Sequence, residues 1–230
     1  MWMGHSQRFT ARAAVPTGHA DLDGALLNEG WPLSSLVEVC QAHIQAEWQL
    51  CTPALLEASG LIVLLNPPAI PFCHALVQAG IDLERVVVVN ASDKNHFVAC
   101  FIELARAGVG ALLSWQPDDA LTYTELRKCQ LAASESTGLS FMFRDSSAQQ
   151  QNSPATLRIF AQIIPSGLEL TVFKQRGYPQ TNQARSSAVK SPNSWKRVLP
   201  YAALYQIAAQ GTQTNKPPRL ATVSPLRGKS

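Results

Sequence analysis

Few residues in this 230-residue sequence have the types and spacing that chemistry demands. Cys73-His74 is its one adjacent Cys/His pair, and these are zinc-ligand types. Neighbouring side chains on a helix diverge by about 100°, so the pair makes a poor metal site without further ligands. His19, Asp21 and Asp23 combine an imidazole with carboxylates, but Asp23 is better placed to accept backbone hydrogen bonds and fix a turn. Asp118-Asp119 is a carboxylate pair of the kind general acid–base catalysis uses. It stands just before a helix start, where the helix dipole gives it a plain electrostatic role. No catalytic set, metal site or cofactor site is expected from these groups.

The strongest constellation is basic. Residues 174–230 carry ten Lys/Arg and no acid, whereas residues 1–173 carry nine Lys/Arg against sixteen Asp/Glu, a balance of −7. Lys174, Arg176, Arg185, Lys190, Lys196 and Arg197, with Tyr178 and Trp195 among them, form the candidate binding surface. Cations neutralise phosphates while aromatics stack on exposed bases, which suits single-stranded DNA. An acidic protein surface is a partner of the same chemistry.

These residues need a scaffold. With 46% hydrophobic and 15% charged residues the chain can bury one substantial core. No apolar run approaches the roughly 18 residues needed to cross a bilayer, and Met1–Thr10 lacks a signal peptide's apolar stretch. The sequence is read as that of a cytoplasmic protein with no membrane partner. Five widely spaced cysteines leave one unpaired in any disulfide scheme, so all are expected as reduced, mostly buried thiols.

Residues 61–65, 86–89, 109–115 and 139–143 are nearly continuous apolar runs, the pattern of strands covered on both faces. Between them lie helices: one opened by Pro71 and stopped by Gly80, one capped by Ser92 and ended by Gly108, and one opened by the capping box Thr122-Tyr-Thr-Glu125. Strand alternating with helix implies right-handed crossovers and a doubly wound, mostly parallel sheet. Residues 156–164 and 168–174 flank Pro165-Ser-Gly167 as a β-hairpin. Trp115 falls at the carboxyl end of a strand, where open α/β sheets place ligands; it joins the partner-binding candidates as an anchor, though its chief reading is that it closes the core. Asn66-Pro-Pro68, at the same edge, is read as a stiff turn.

Thr17-Gly-His-Ala-Asp-Leu-Asp23, Gly30-Trp-Pro32 and Leu36-Val-Glu-Val39 resemble the segment that leads into the phosphate loop of the RecA family. The resemblance implies a RecA-like fold in which a glycine-rich run ending in Lys and Thr/Ser follows the strand. Here Cys40-Gln-Ala-His-Ile-Gln-Ala-Glu-Trp48 follows instead. It has no glycine, Glu47 stands where the lysine belongs and Trp48 where the magnesium-binding hydroxyl belongs, while Ser114-Trp115 replaces the later acidic ligand. Gln41 to Trp48 is thus a degenerate phosphate-loop position, and no ATP hydrolysis is expected.

Asn66-Pro-Pro-Ala-Ile-Pro-Phe72, Ala79-Gly-Ile-Asp-Leu-Glu-Arg85, Leu126-Arg-Lys-Cys-Gln-Leu-Ala132 and Lys174-Gln-Arg-Gly177 are similar to the ImuA family of RecA-like translesion-synthesis accessory proteins, and more distantly to the SulA division inhibitors. The first resemblance implies a non-catalytic SOS-response adaptor that binds RecA and a polymerase-like ImuB partner. The second implies binding to FtsZ and a block on its polymerisation. The expected organisation is an N-terminal arm (1–14), a RecA-like α/β domain without a functional phosphate loop (15–177), and a basic, largely disordered tail (178–230).

Overall fold

The apolar runs form the strands of a sheet. The computed structural model describes residues 13–41, 50–164, 167–177 and 185–190. Along the chain these form β1 (Ala14–Val15), α1 (Ala20–Ala25), β2 (Trp31–Pro32), β3 (Leu36–Gln41), α2 (Thr52–Glu57), β4 (Ile62–Leu65), α3 (Cys73–Gln78) and β5 (Val86–Val89). Then follow α4 (Lys94–Arg106), β6 (Ala111–Trp115), α5 (Tyr123–Glu135), β7 (Leu139–Asp145), β8 (Leu157–Ile164), β9 (Gly167–Gln175) and β10 (Arg185–Lys190).

Eight strands make the main sheet in the order β10-β9-β8-β3-β7-β6-β4-β5. From β8 to β5 every pairing is parallel, and β9 and β10 add antiparallel to that edge. A parallel sheet needs cover on both faces. On one face Leu22, Leu55 and Leu76 of α1, α2 and α3 pack against Val37, Val39, Leu113, Phe141 and Ile159. On the other, Phe97 and Phe101 of α4 and Leu126 and Cys129 of α5 pack against Leu36, Leu112 and Met142. The protein is therefore α/β, with a mostly parallel sheet flanked by helices.

Local chemistry sets the element ends. Thr122 N–H donates to Glu125 Oε2 at 2.7 Å and Glu125 N–H to Thr122 Oγ1 at 3.3 Å, the reciprocal capping box read from the sequence. Thr122→Ala is expected to cost about 1 kcal/mol and lower the melting temperature by roughly 2–4 °C in a thermal melt. The cap of α4 differs from expectation: it is Asp93, whose carboxylate accepts from His96 N–H at 3.0 Å, while Ser92 Oγ donates to Asp93. A carboxylate is the stronger acceptor at a helix N-terminus. Gly108, at φ +73°, ends α4. A Cβ at Gly138 would lie 2.1 Å from Val109 O, so only glycine admits β7 beside β6 here.

The hairpin forms as expected, β8 pairing antiparallel with β9. Ala14 belongs to β1, paired with Pro32. Within the segment after 178, Arg185–Lys190 pairs with Gly167–Val172 as β10. The exposed hydrogen-bonding edge of β9 supplies the partner that this polar segment cannot find in itself.

Candidate functional site

The carboxyl ends of the parallel strands converge on a cleft of about 790 Å³. Gln41 ends β3, Asn66 and Pro68 follow β4, Trp115 to Asp118 end and follow β6, and Phe143 to Asp145 end β7; all line the cleft. This is the edge at which open α/β sheets bind ligands.

Most lining groups are already engaged. Trp115, 8% exposed, stacks on Phe143 with ring centroids 4.8 Å apart, in keeping with its reading as a residue that closes the core. Asn66 takes φ +54° and its Oδ1 accepts from Ala91 N–H at 2.6 Å, so this turn ties the end of β4 to the segment after β5. Ser114, at the position of the acidic ligand in the RecA resemblance, is buried and donates to Phe141 O at 2.8 Å. Gln41 is the exception. It is 4% exposed, and its Oε1 has no hydrogen-bond partner among the described residues.

Directly beneath the cleft lies a buried charge cluster. Glu38, fully buried on β3, accepts through Oε2 from Arg144 Nη1 at 3.2 Å and Arg158 Nε at 2.8 Å, and through Oε1 from Ser153 Oγ. Arg144 also donates from Nε to Gln116 Oε1 at 2.7 Å and from Nη2 to Gln151 Oε1 at 2.8 Å. Arg158 donates to Gln151 O and Ala148 O at 3.0 and 2.7 Å, and its guanidinium lies 4.8 Å from the Phe173 ring centroid. One carboxylate thus faces two guanidiniums with most donors satisfied, the condition under which buried charge is tolerated.

Lys174 joins this cluster rather than the surface. Half-buried, it donates to Ser153 O, and burial followed by the nearby Arg158 charge holds its pKa below the usual lysine value. Of the other basic candidates, Arg176 is exposed at the end of β9, and Arg185 and Lys190 are placed by their backbones at the two ends of β10. Tyr178, Trp195, Lys196 and Arg197, and Glu47 and Trp48 of the degenerate loop position, lie outside the described residues.

Glu38, Ser153 and Arg158 were not singled out as site residues from sequence. The available signal was a lone charge inside each of two apolar strands, Leu36-Val-Glu-Val39 and Leu157-Arg-Ile-Phe160. Asp23 accepts from Thr17 N–H at 2.8 Å and so fixes the turn expected of it. Among the described residues no group of three or more His, Cys, Asp or Glu could hold a metal ion.

All five cysteines are free thiols. Burial, reinforced by the Glu38 charge, pushes Cys40 to about 11, and burial pushes Cys129 to about 12 and Cys51 upward. Since thiolate is the nucleophile, a maleimide time course at pH 7.5 is expected to modify exposed Cys73 first and to leave Cys40, Cys51 and Cys129 unmodified until the protein unfolds.

No protein-family model and no curated protein matches this chain. Among solved structures, the crystal structure of SulA from Pseudomonas aeruginosa is similar to it over 47% of this chain and 97% of that one, with 23% identity and a TM-score of 0.38. Among the described residues no helix is long and apolar enough to cross a membrane.

Proposed function

We propose that this protein is a non-catalytic, RecA-shaped adaptor of the ImuA kind, acting in error-prone translesion DNA synthesis by binding RecA and a polymerase-like partner. The observation that carries this reading is the electrostatics of the carboxyl-edge cleft. A nucleotide triphosphate needs backbone amides and free cations. Arg144 is the one Lys/Arg among the described residues lining the cleft, and its guanidinium is already committed to Glu38, Gln116 and Gln151. Asp118 and Asp145 line the same cleft and would repel phosphate. Ser114, committed to Phe141 O, offers magnesium no carboxylate. A fold that keeps the nucleotide-binding edge without its cations retains value as a recognition surface. The resemblance carried by residues 66–72, 79–85, 126–132 and 174–177 supports the ImuA assignment.

A pull-down with purified RecA and an ImuB-type protein tests the reading. Retention of at least one of them at physiological salt is expected. Recovery of neither, together with loss of FtsZ polymer in a sedimentation assay, would replace it with the SulA-like role.

A further inference from the structure

Among the described residues the sheet has two ends, and they are finished differently. β10, at one end, begins with Arg185 and closes with Lys190, charges of the kind that keep an open strand edge from pairing. β5, at the other, is Val86-Val-Val-Val89, with no charge, proline or bulge, and β4 is its one partner among the described residues. Apolar surface gathers on the same side. Of the ten large hydrophobic residues exposed among the described residues, six lie between the end of β4 and the end of β5: Ile70, Phe72, Val77, Leu83, Val87 and Val88. The only Asp, Glu, Lys or Arg in that stretch are Asp82, Glu84 and Arg85, and Arg85 is turned back onto Ala58 O and Gly60 O.

Backbone geometry decides what such an edge accepts. Asn66 N–H donates to Val89 O at 2.8 Å, so the polar backbone groups of Val89, and of Val87 two residues before it, face β4. Strand alternation turns those of Val88 outward. Val86 N–H is given to Leu83 O, which leaves the Val86 carbonyl on the same open side. A two-fold axis beside Val88 matches this pattern to itself. The two Val88 residues exchange both N–H···O bonds, and each Val86 carbonyl meets the Asn90 N–H of the other copy. Valine then stands opposite valine at positions 87 to 89, with no like charges opposed. The six exposed side chains offer several hundred Å² per protomer, of the order of the about 800 Å² per partner that a standard interface buries.

We propose that β5 is a self-association surface, at which a second copy of this chain pairs antiparallel about Val88 and continues the eight-stranded sheet across a two-fold axis. An uncovered apolar strand is a template for open-ended pairing. An isologous contact uses the same patch on both copies and closes at two, so it buries the valine edge without building a fibre. The inference rests on the β5 edge and holds whichever other partner the protein binds.

Sedimentation velocity of the full-length protein from about 1 to 100 µM is expected to show a monomer passing into a dimer, with no larger species. Val88→Lys sets like charges against each other at the axis and is expected to weaken association at least about tenfold. The position is then checked covalently. In a Cys73→Ser background, which removes the exposed native thiol, Val88→Cys is expected to form an interchain disulfide on mild oxidation. A hydrogen-bonded antiparallel pair holds its Cα atoms about 5.5 Å apart, within disulfide reach. Leu131→Cys, on α5 and as exposed as Val88, is expected to cross-link at least about tenfold more slowly. A monomer at about 100 µM overturns the proposal and leaves the edge to an extended segment of another protein. Species larger than a dimer, a dimer that survives Val88→Lys, or equal oxidation at the two introduced thiols overturns it in favour of a different contact.

Discussion

Glu38→Ala lowers the melting temperature by roughly 10 °C or more, the largest effect expected of any single replacement outside the hydrophobic core. The reason is the imbalance of the cluster. Arg144 and Arg158 both rest on one Glu38 oxygen, and the Arg144 and Glu38 side chains are fully buried. Removing that carboxylate leaves two guanidiniums in a low-dielectric site without a counter-charge, which typically costs about 3–5 kcal/mol. The control separates charge from packing. Replacing Glu38, Arg144 and Arg158 together with methionine removes the charges as a set, and replacements of buried ion triads by apolar residues of similar volume are often neutral or stabilising. The expected result is thus a triple variant more stable than Glu38→Ala, measured by urea midpoint. Equal destabilisation of the two would show that the cluster's role is shape and not electrostatics.

Phe141→Ala is expected to cost about 3–5 kcal/mol, from lost transfer free energy plus the cavity left in a central strand. Phe141 is fully buried on β7, with β3 on one side and β6 on the other, and meets Trp31 edge-on at a centroid separation of 5.1 Å. That ring pair adds about 0.5–1.5 kcal/mol beyond area burial. Phe72 is the contrast. It is 69% exposed, and Phe72→Ala is expected to change stability by no more than about 0.5 kcal/mol. Chemical denaturation of the two variants side by side reads the difference directly. Similar midpoints would mean that the Trp31–Phe141 contact is not part of the core.

The parallel sheet was legible because its strands are buried on both faces, so their apolar character survives in runs such as Ile62–Leu65 and Ala111–Trp115. The Thr122 capping box was legible because it is local, three residues apart. What escaped was long-range or context-bound. Glu38 lies 106 and 120 residues from its two arginine partners, and no local pattern announces that a charge inside an apolar strand will be matched from two others. β10, Arg-Ser-Ser-Ala-Val-Lys, has weak strand character of its own and is set by the free edge of β9. The α4 cap was misplaced by one residue because Ser92 and Asp93 are both good caps, and backbone geometry chose the latter. At the cleft, Trp115 was legible as the carboxyl end of a strand, whereas Gln41 was read as the start of the loop after β3 and instead ends that strand. The empty acceptor of Gln41 was not legible, since a residue's type does not tell whether its carbonyl finds a donor.

The central claim is electrostatic: the cleft at the strand ends offers a polyphosphate no uncommitted cation. Equilibrium titration of the full-length protein with a fluorescent ATP analogue and magnesium tests it most directly. Anisotropy that stays flat up to millimolar protein agrees with a site whose nearest guanidinium is committed to Glu38, Gln116 and Gln151. Saturable binding of the analogue in the micromolar range would contradict it.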